Sequence, residues 1–116
     1  MSELNSLSRH ILNILSAQRG PEARMLRGEL LEELQLRMVD VAHREMRAAI
    51  EELRKAHPRG AWICADMRGG YFMARDEEEL DRYLQSDEKR AAHLLQRVRI
   101  QRAAAGLQSS SQLELL

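Results

Sequence analysis

The stretch that decides the fold is residues 39–74, VDVAHREMRAAIEELRKAHPRGAWICADMRGGYFMA, in which one pattern of apolar residues gives way to another. In its first half, apolar residues recur every three or four positions, which predicts an amphipathic helix. They are Met46, Ala49, Ile50 and Leu53. We expect this helix to begin near residues 40–42, to run to about Lys55, and to end before Pro58 and Gly60.

The second half of the stretch predicts a β-hairpin. Residues 61–65 and 71–74 are rich in strand-forming side chains, and they are separated by the loop sequence Asp-Met-Arg-Gly-Gly. Gly69 and Gly70 can supply the positive φ angles that tight hairpins need. The segment therefore predicts a helix that leads directly into a short hairpin.

Helices are predicted on both sides of this segment. Leu4, Leu7, Ile11 and Leu15 have helical spacing and precede a stop at Gly20-Pro21, and a second, shorter helix is expected over residues 22–34. The link over residues 34–40 has the length of a helix-turn-helix connection. A long last segment, residues 76–105, is also helical in pattern, with a second start at Ser86-Asp87 as an alternative.

These elements predict an α+β, mainly helical fold of the winged helix-turn-helix type, with three helices, a β-hairpin wing and a long C-terminal helix. Residues 1–75 would form the winged-helix domain, and residues 76–106 the C-terminal helix, which packs on the domain or forms a dimer. Residues 107–116 would form a flexible tail. Because the apolar stripe continues through Leu94, Leu95 and Val98, we favour a homodimer.

Composition excludes several classes of function. The chain has 116 residues, 18 basic and 18 acidic, so its net charge gives no general support for nucleic-acid binding. The four histidines are scattered, Cys64 lies in an apolar strand, and no Cys/His cluster has metal spacing, so we expect no enzyme, no metal and no cofactor. No window reaches the roughly 18 apolar residues of a membrane span, which predicts a soluble protein.

The arrangement of the charges is more informative than their sum. Residues 37–68 contain seven basic and five acidic side chains. His43, Arg44 and Arg47 lie in the first turns of the predicted third helix, on the side away from Met46 and Ile50, where a helix inserted in the major groove meets bases and phosphates. The alternative is a solvated outer face on which Arg47 pairs with Glu51.

The predicted hairpin adds cations to this proposed surface. Arg68 stands beside Gly69 at the hairpin tip, where a small loop can carry a cation into a minor groove or along a phosphate backbone. Arg59, just before the first strand, would add a phosphate contact. We therefore expect duplex DNA to be the partner of the helix and the hairpin.

The residues of this segment also resemble a known family. Residues 41–54, VAHREMRAAIEELR, and residues 68–74, RGGYFMA, are similar to the third helix and wing of small winged helix-turn-helix proteins of bacteriophages and prophages. The resemblance covers about residues 7–105 and implies DNA binding in transcriptional regulation or replication, in the cytoplasm of the bacterial host. It matches His43, Arg44 and Arg47 to recognition-helix positions and Arg68 to the wing. Ala42 stands where the family has a capping serine, so Asp40 is the alternative cap.

The C-terminal residues suggest a second partner. Gln112, Leu113, Glu114, Leu115 and Leu116 resemble the peptide by which bacterial replication and repair proteins dock on the sliding clamp. The glutamine would hydrogen-bond at a pocket rim while Leu113, Leu115 and Leu116 fill an apolar cleft. The alternative function is thus a protein-protein interaction module, an adaptor in replication or transcription with little DNA binding of its own.

Overall fold

The computed structural model describes residues 5–107. Within them the chain is mainly helical and includes a small antiparallel sheet, so the predicted α+β class is confirmed. In chain order the regular elements are α1 (Ser6–Leu15), β1 (Met25–Leu26), α2 (Arg27–Leu36), α3 (His43–Ala56), β2 (Ile63–Ala65), β3 (Gly70–Met73) and α4 (Glu77–Ala104). Two 3₁₀ turns, Pro21–Ala23 and Gly60–Trp62, precede β1 and β2.

The three strands form one antiparallel sheet in the order β1-β3-β2. Strand β3 is central, with Met25 paired to Tyr71 on one side and Cys64 paired to Phe72 on the other. The predicted hairpin is therefore present, and a third, very short strand extends it.

Strand β1 corrects the predicted second helix, which was expected over residues 22–34. Pro21 begins a 3₁₀ turn instead, because its fixed φ suits a helical first position. The side chain of Glu29 accepts a hydrogen bond from the Leu26 N–H at 2.9 Å, and this interaction caps α2 at its observed start. The helix thus begins later than predicted and ends at Leu36.

The core lies between α1, α2, α3 and the sheet. Ile11 and Leu15 of α1 meet Leu30 and Leu34 of α2 and the predicted stripe of α3, of which Met46, Ile50 and Leu53 are buried. Fully burying an aliphatic side chain of this size contributes about 1.5–3 kcal/mol. The burial of this stripe fixes which face of α3 remains in solvent.

The chain divides into two compact units, residues 1–80 and residues 81–116. Helix α4 is continuous, and the alternative of a second start at Ser86-Asp87 is wrong. Asp87 is not a helix cap, since its carboxylate pairs with Arg90 one turn further on. Gly106, with φ of 76°, follows the end of the helix. Among residues 5–107, none of the helices is long and apolar enough to cross a membrane.

Candidate nucleic-acid interface

The start of α3 has no side-chain cap. Ala42 occupies the N-cap position, and its methyl group accepts no hydrogen bond, while Asp40 lies two residues earlier and does not cap the helix either. The expected alternative of an Asp40 cap is therefore wrong. The first-turn N–H groups remain free of side-chain acceptors, which is the arrangement that helix N-termini present to phosphate groups.

One histidine and two arginines occupy the outer face of the first two turns of α3. His43, Arg44 and Arg47 are all exposed, and over residues 5–107 none of them makes an ion pair. The pair between Arg47 and Glu51, expected for a solvated face, does not form. Glu51 instead lies 4.0 Å from the guanidinium of Arg54, so both arginines near the helix start keep their charge uncompensated.

The hairpin loop is held by the side chain and backbone of Asp66. Its carboxylate accepts a hydrogen bond from the Arg68 N–H at 2.7 Å, and its own N–H donates to the Gly70 carbonyl at 2.7 Å. Gly69 has φ of 91°, a conformation that L-residues avoid, and a Cβ there would meet nothing within 4 Å. These hydrogen bonds link the two ends of the loop, and the Arg68 side chain is exposed to solvent.

Two further arginines lie beside this loop, and the sequence did not predict them. The Arg24 guanidinium is 3.4 Å from the Asp66 carboxylate, and the Arg27 N–H donates to the Gly69 carbonyl at 3.0 Å. Arg27 is exposed and makes no ion pair within the described part of the chain. Three arginines thus surround this loop: Arg24, Arg27 and Arg68. We call these three residues the tip cluster. Asp66 offsets the charge of one of them, Arg24.

Arg59, another predicted DNA contact, lies far from the start of α3. It lies beyond the C-terminal end of α3, whereas Arg44 lies at the start, and a 14-residue helix is about 20 Å long. Its guanidinium donates a hydrogen bond to the Ser16 hydroxyl, next to the end of α1. The length of α3 therefore separates Arg59 from Arg44.

Arg59 lines a different concavity, a groove of about 270 Å³ whose apolar floor contains Trp62 and Met73. Arg19 and Arg75 line the same groove. Arg75 is engaged by two carboxylates. The hydrogen bonds that its guanidinium donates to Glu79, with the charges of Glu22 and Glu79, raise its pKa above the usual range. Arg75 thus remains charged but is already paired.

No family model, curated protein or solved structure matched the chain.

The sequence also drew attention to a C-terminal peptide, to Cys64 and to possible metal ligands. The sliding-clamp peptide, with Gln112, Leu113, Leu115 and Leu116, lies outside the described residues. Cys64 is fully buried in β2, with its thiol 3.8 Å from the Trp62 carbonyl. Among residues 5–107, no three His, Cys, Asp or Glu side chains are grouped so that they could hold a metal ion.

Proposed function

We propose that this protein is a winged helix-turn-helix protein of the phage type that binds duplex DNA, with α3 in the major groove and the tip cluster on the adjacent backbone. The element order α1-β1-α2-α3-β2-β3 and the strand order β1-β3-β2 support this proposal. The observation that carries it is the outer face of α3, where Arg44 and Arg47 are exposed and unpaired, opposite the buried residues Met46, Ile50 and Leu53.

The geometry of this face suits a duplex. The major groove is about 12 Å wide and admits one α-helix, whose N-terminal turns meet base edges. Arg44 and Arg47 lie about one turn apart, so one guanidinium can donate two hydrogen bonds to a guanine while the other neutralises a phosphate. The free N–H groups at the start of α3 add a further attraction for phosphate.

The tip cluster supports a second contact. A hairpin loop with a glycine at its turn can approach a phosphate backbone or enter a minor groove closely. Arg68 and Arg27 are the exposed cations at this loop, and Asp66 and Arg24 hold it in one conformation. These contacts would position the protein on the duplex without specifying its sequence.

The test measures binding of the full chain to random duplex DNA by fluorescence anisotropy over a series of salt concentrations. We expect the affinity to fall steeply with salt, with a slope of about −0.9 per phosphate neutralised. Arg44→Ala, Arg47→Ala and Arg68→Ala should each weaken binding, and a variant that no longer neutralises one phosphate should have a slope smaller by about one.

Arg9→Ala is the matched control, because Arg9 is an exposed arginine on α1, outside the proposed interface. It should leave both affinity and slope close to those of the wild type. Absence of duplex binding at low salt would exclude the proposal, and equal losses for Arg9→Ala and Arg44→Ala would exclude the assigned face.

A further inference from the structure

Helix α4 has a stripe of apolar residues that are not buried. None of its 28 residues is buried, and Leu84 and Leu94 are 44% and 51% exposed. Leu84, Ala91, Leu94 and Val98 follow one another at intervals of seven, three and four residues. At about 100° per residue these positions fall within one narrow face, the pattern of a helix that packs along a partner helix.

The charges of α4 are divided along its length. Residues 77–88, the acidic half, contain six acidic side chains and one basic side chain, and residues 89–104, the basic half, contain five basic side chains and no acidic one. Glu79, Asp81 and Glu88 are members of the first group, and Lys89 and Arg97 of the second. The helix therefore has opposite net charge at its two ends.

We infer that the partner of this stripe is α4 of a second copy of the chain, packed antiparallel. In an antiparallel pair each acidic half lies along the basic half of the other copy, and the two stripes face each other by a two-fold axis near the middle of the helix. A parallel pair would instead place like charges side by side along the whole length. The charge division thus selects both the partner and its direction.

Other occupants fit only part of the helix. A nucleic acid or an acidic peptide would be attracted by the basic half but repelled by the acidic half, whose net charge is negative. The Asp87 carboxylate, which falls within the stripe, is already paired with Arg90 on the same helix, so its charge is partly offset at the seam. An antiparallel second copy places opposite charge along both halves of the helix.

The inference is tested on the full chain by sedimentation equilibrium over a range of protein and salt concentrations. We expect a monomer-dimer equilibrium that weakens as salt rises, because the attraction between the halves is screened. Two double variants reverse charge in one half each: Asp81→Lys with Glu88→Lys, and Lys89→Glu with Arg97→Glu. Each alone should dimerise at least about tenfold more weakly than the wild type, and an equimolar mixture should form a heterodimer tighter than either homodimer.

Direction is measured separately, with a spin label on Ala104→Cys at the end of α4. Cys64 is fully buried, and wild type treated with the same spin-label reagent confirms that it does not react. Two labels in an antiparallel pair should be about 40 Å apart, from the 1.5 Å rise per residue. A separation under about 20 Å, or tighter association of the Asp81→Lys, Glu88→Lys variant, would show a parallel pair and overturn the inference. A monomer at every concentration in low salt would also overturn it. None of these outcomes depends on DNA binding.

Discussion

The guanidinium of Arg59 donates a hydrogen bond to the hydroxyl of Ser16, which itself donates to the Leu12 carbonyl at 2.5 Å. Arg59 therefore ties the end of α3 to the end of α1 and lies at the opposite end of α3 from Arg44. We expect Arg59→Ala to reduce DNA affinity much less than Arg44→Ala does, and to lower the free energy of unfolding by at most about 1 kcal/mol, since the interaction is exposed. Anisotropy titration and urea unfolding measure the two effects. If Arg59→Ala lost as much DNA affinity as Arg44→Ala, Arg59 would be shown to contact DNA.

Asp66 should control the order of the hairpin loop. Its carboxylate accepts the Arg68 N–H and faces the Arg24 guanidinium, so Asp66→Ala removes both interactions. We expect a loss of about 1 kcal/mol of unfolding free energy and faster hydrogen exchange at the Arg68 amide. Asp40→Ala is the control, because Asp40 is an exposed aspartate with no hydrogen bond in the described residues. Unchanged exchange at Arg68 in Asp66→Ala would show that the backbone alone orders the loop.

The parts of the fold that the sequence predicted are those whose signal is local. The stripe of Met46, Ile50 and Leu53 has the period of a helix, and that period alone specifies both the helix and its buried face. Strand β1 has only two residues, too few for any period, and it exists because Met25 and Leu26 pair with Tyr71 and Gly70 far along the chain. Without that partner, residues 22–26 were assigned to a helix.

The same distinction applies to the candidate interface. Arg44 and Arg47 were placed on the outer face of α3 by helical geometry, which fixes them relative to neighbours three or four residues away. Arg24 was not predicted beside Arg68, because its position depends on the ion pair between Arg24 and Asp66. The hydrogen bond from Arg59, a predicted phosphate contact, to Ser16 was not predicted either. Both interactions join residues that are distant in the chain, beyond the reach of any local pattern.

Gly60 should be intolerant of any side chain. It is buried, and a Cβ there would lie 2.8 Å from the Leu53 Cβ and closer still to the Leu53 carbonyl. Because that carbonyl belongs to the last turn of α3 and accepts the His57 N–H, it cannot move without opening the helix. We expect Gly60→Ala to cost about 1–3 kcal/mol of unfolding free energy, measured by urea denaturation.

Gly28 is the matched control for that substitution. It lies in α2, and a Cβ there would meet nothing within 4 Å. Alanine has the higher helix propensity, so Gly28→Ala should be neutral or stabilise the protein by up to about 1 kcal/mol. Similar losses in the two variants would mean that the space around Gly60 adapts more than its close distances indicate.

Met38 is the one non-glycine residue with positive φ among residues 5–107, at 63°, in the connection between α2 and α3. Its side chain is 92% exposed, so replacing it with glycine removes almost no buried area. Relief of the left-handed strain should stabilise the protein by about 1–2 kcal/mol, while the greater freedom of glycine in the unfolded chain costs about 0.5–1 kcal/mol. We therefore expect a small net increase in unfolding free energy for Met38→Gly. Met67→Gly supplies the comparison, because Met67 is 83% exposed in the hairpin loop and has no positive φ, so only the unfavourable entropy term remains. If both variants lose stability equally in urea denaturation, the backbone at Met38 is not strained in the folded protein.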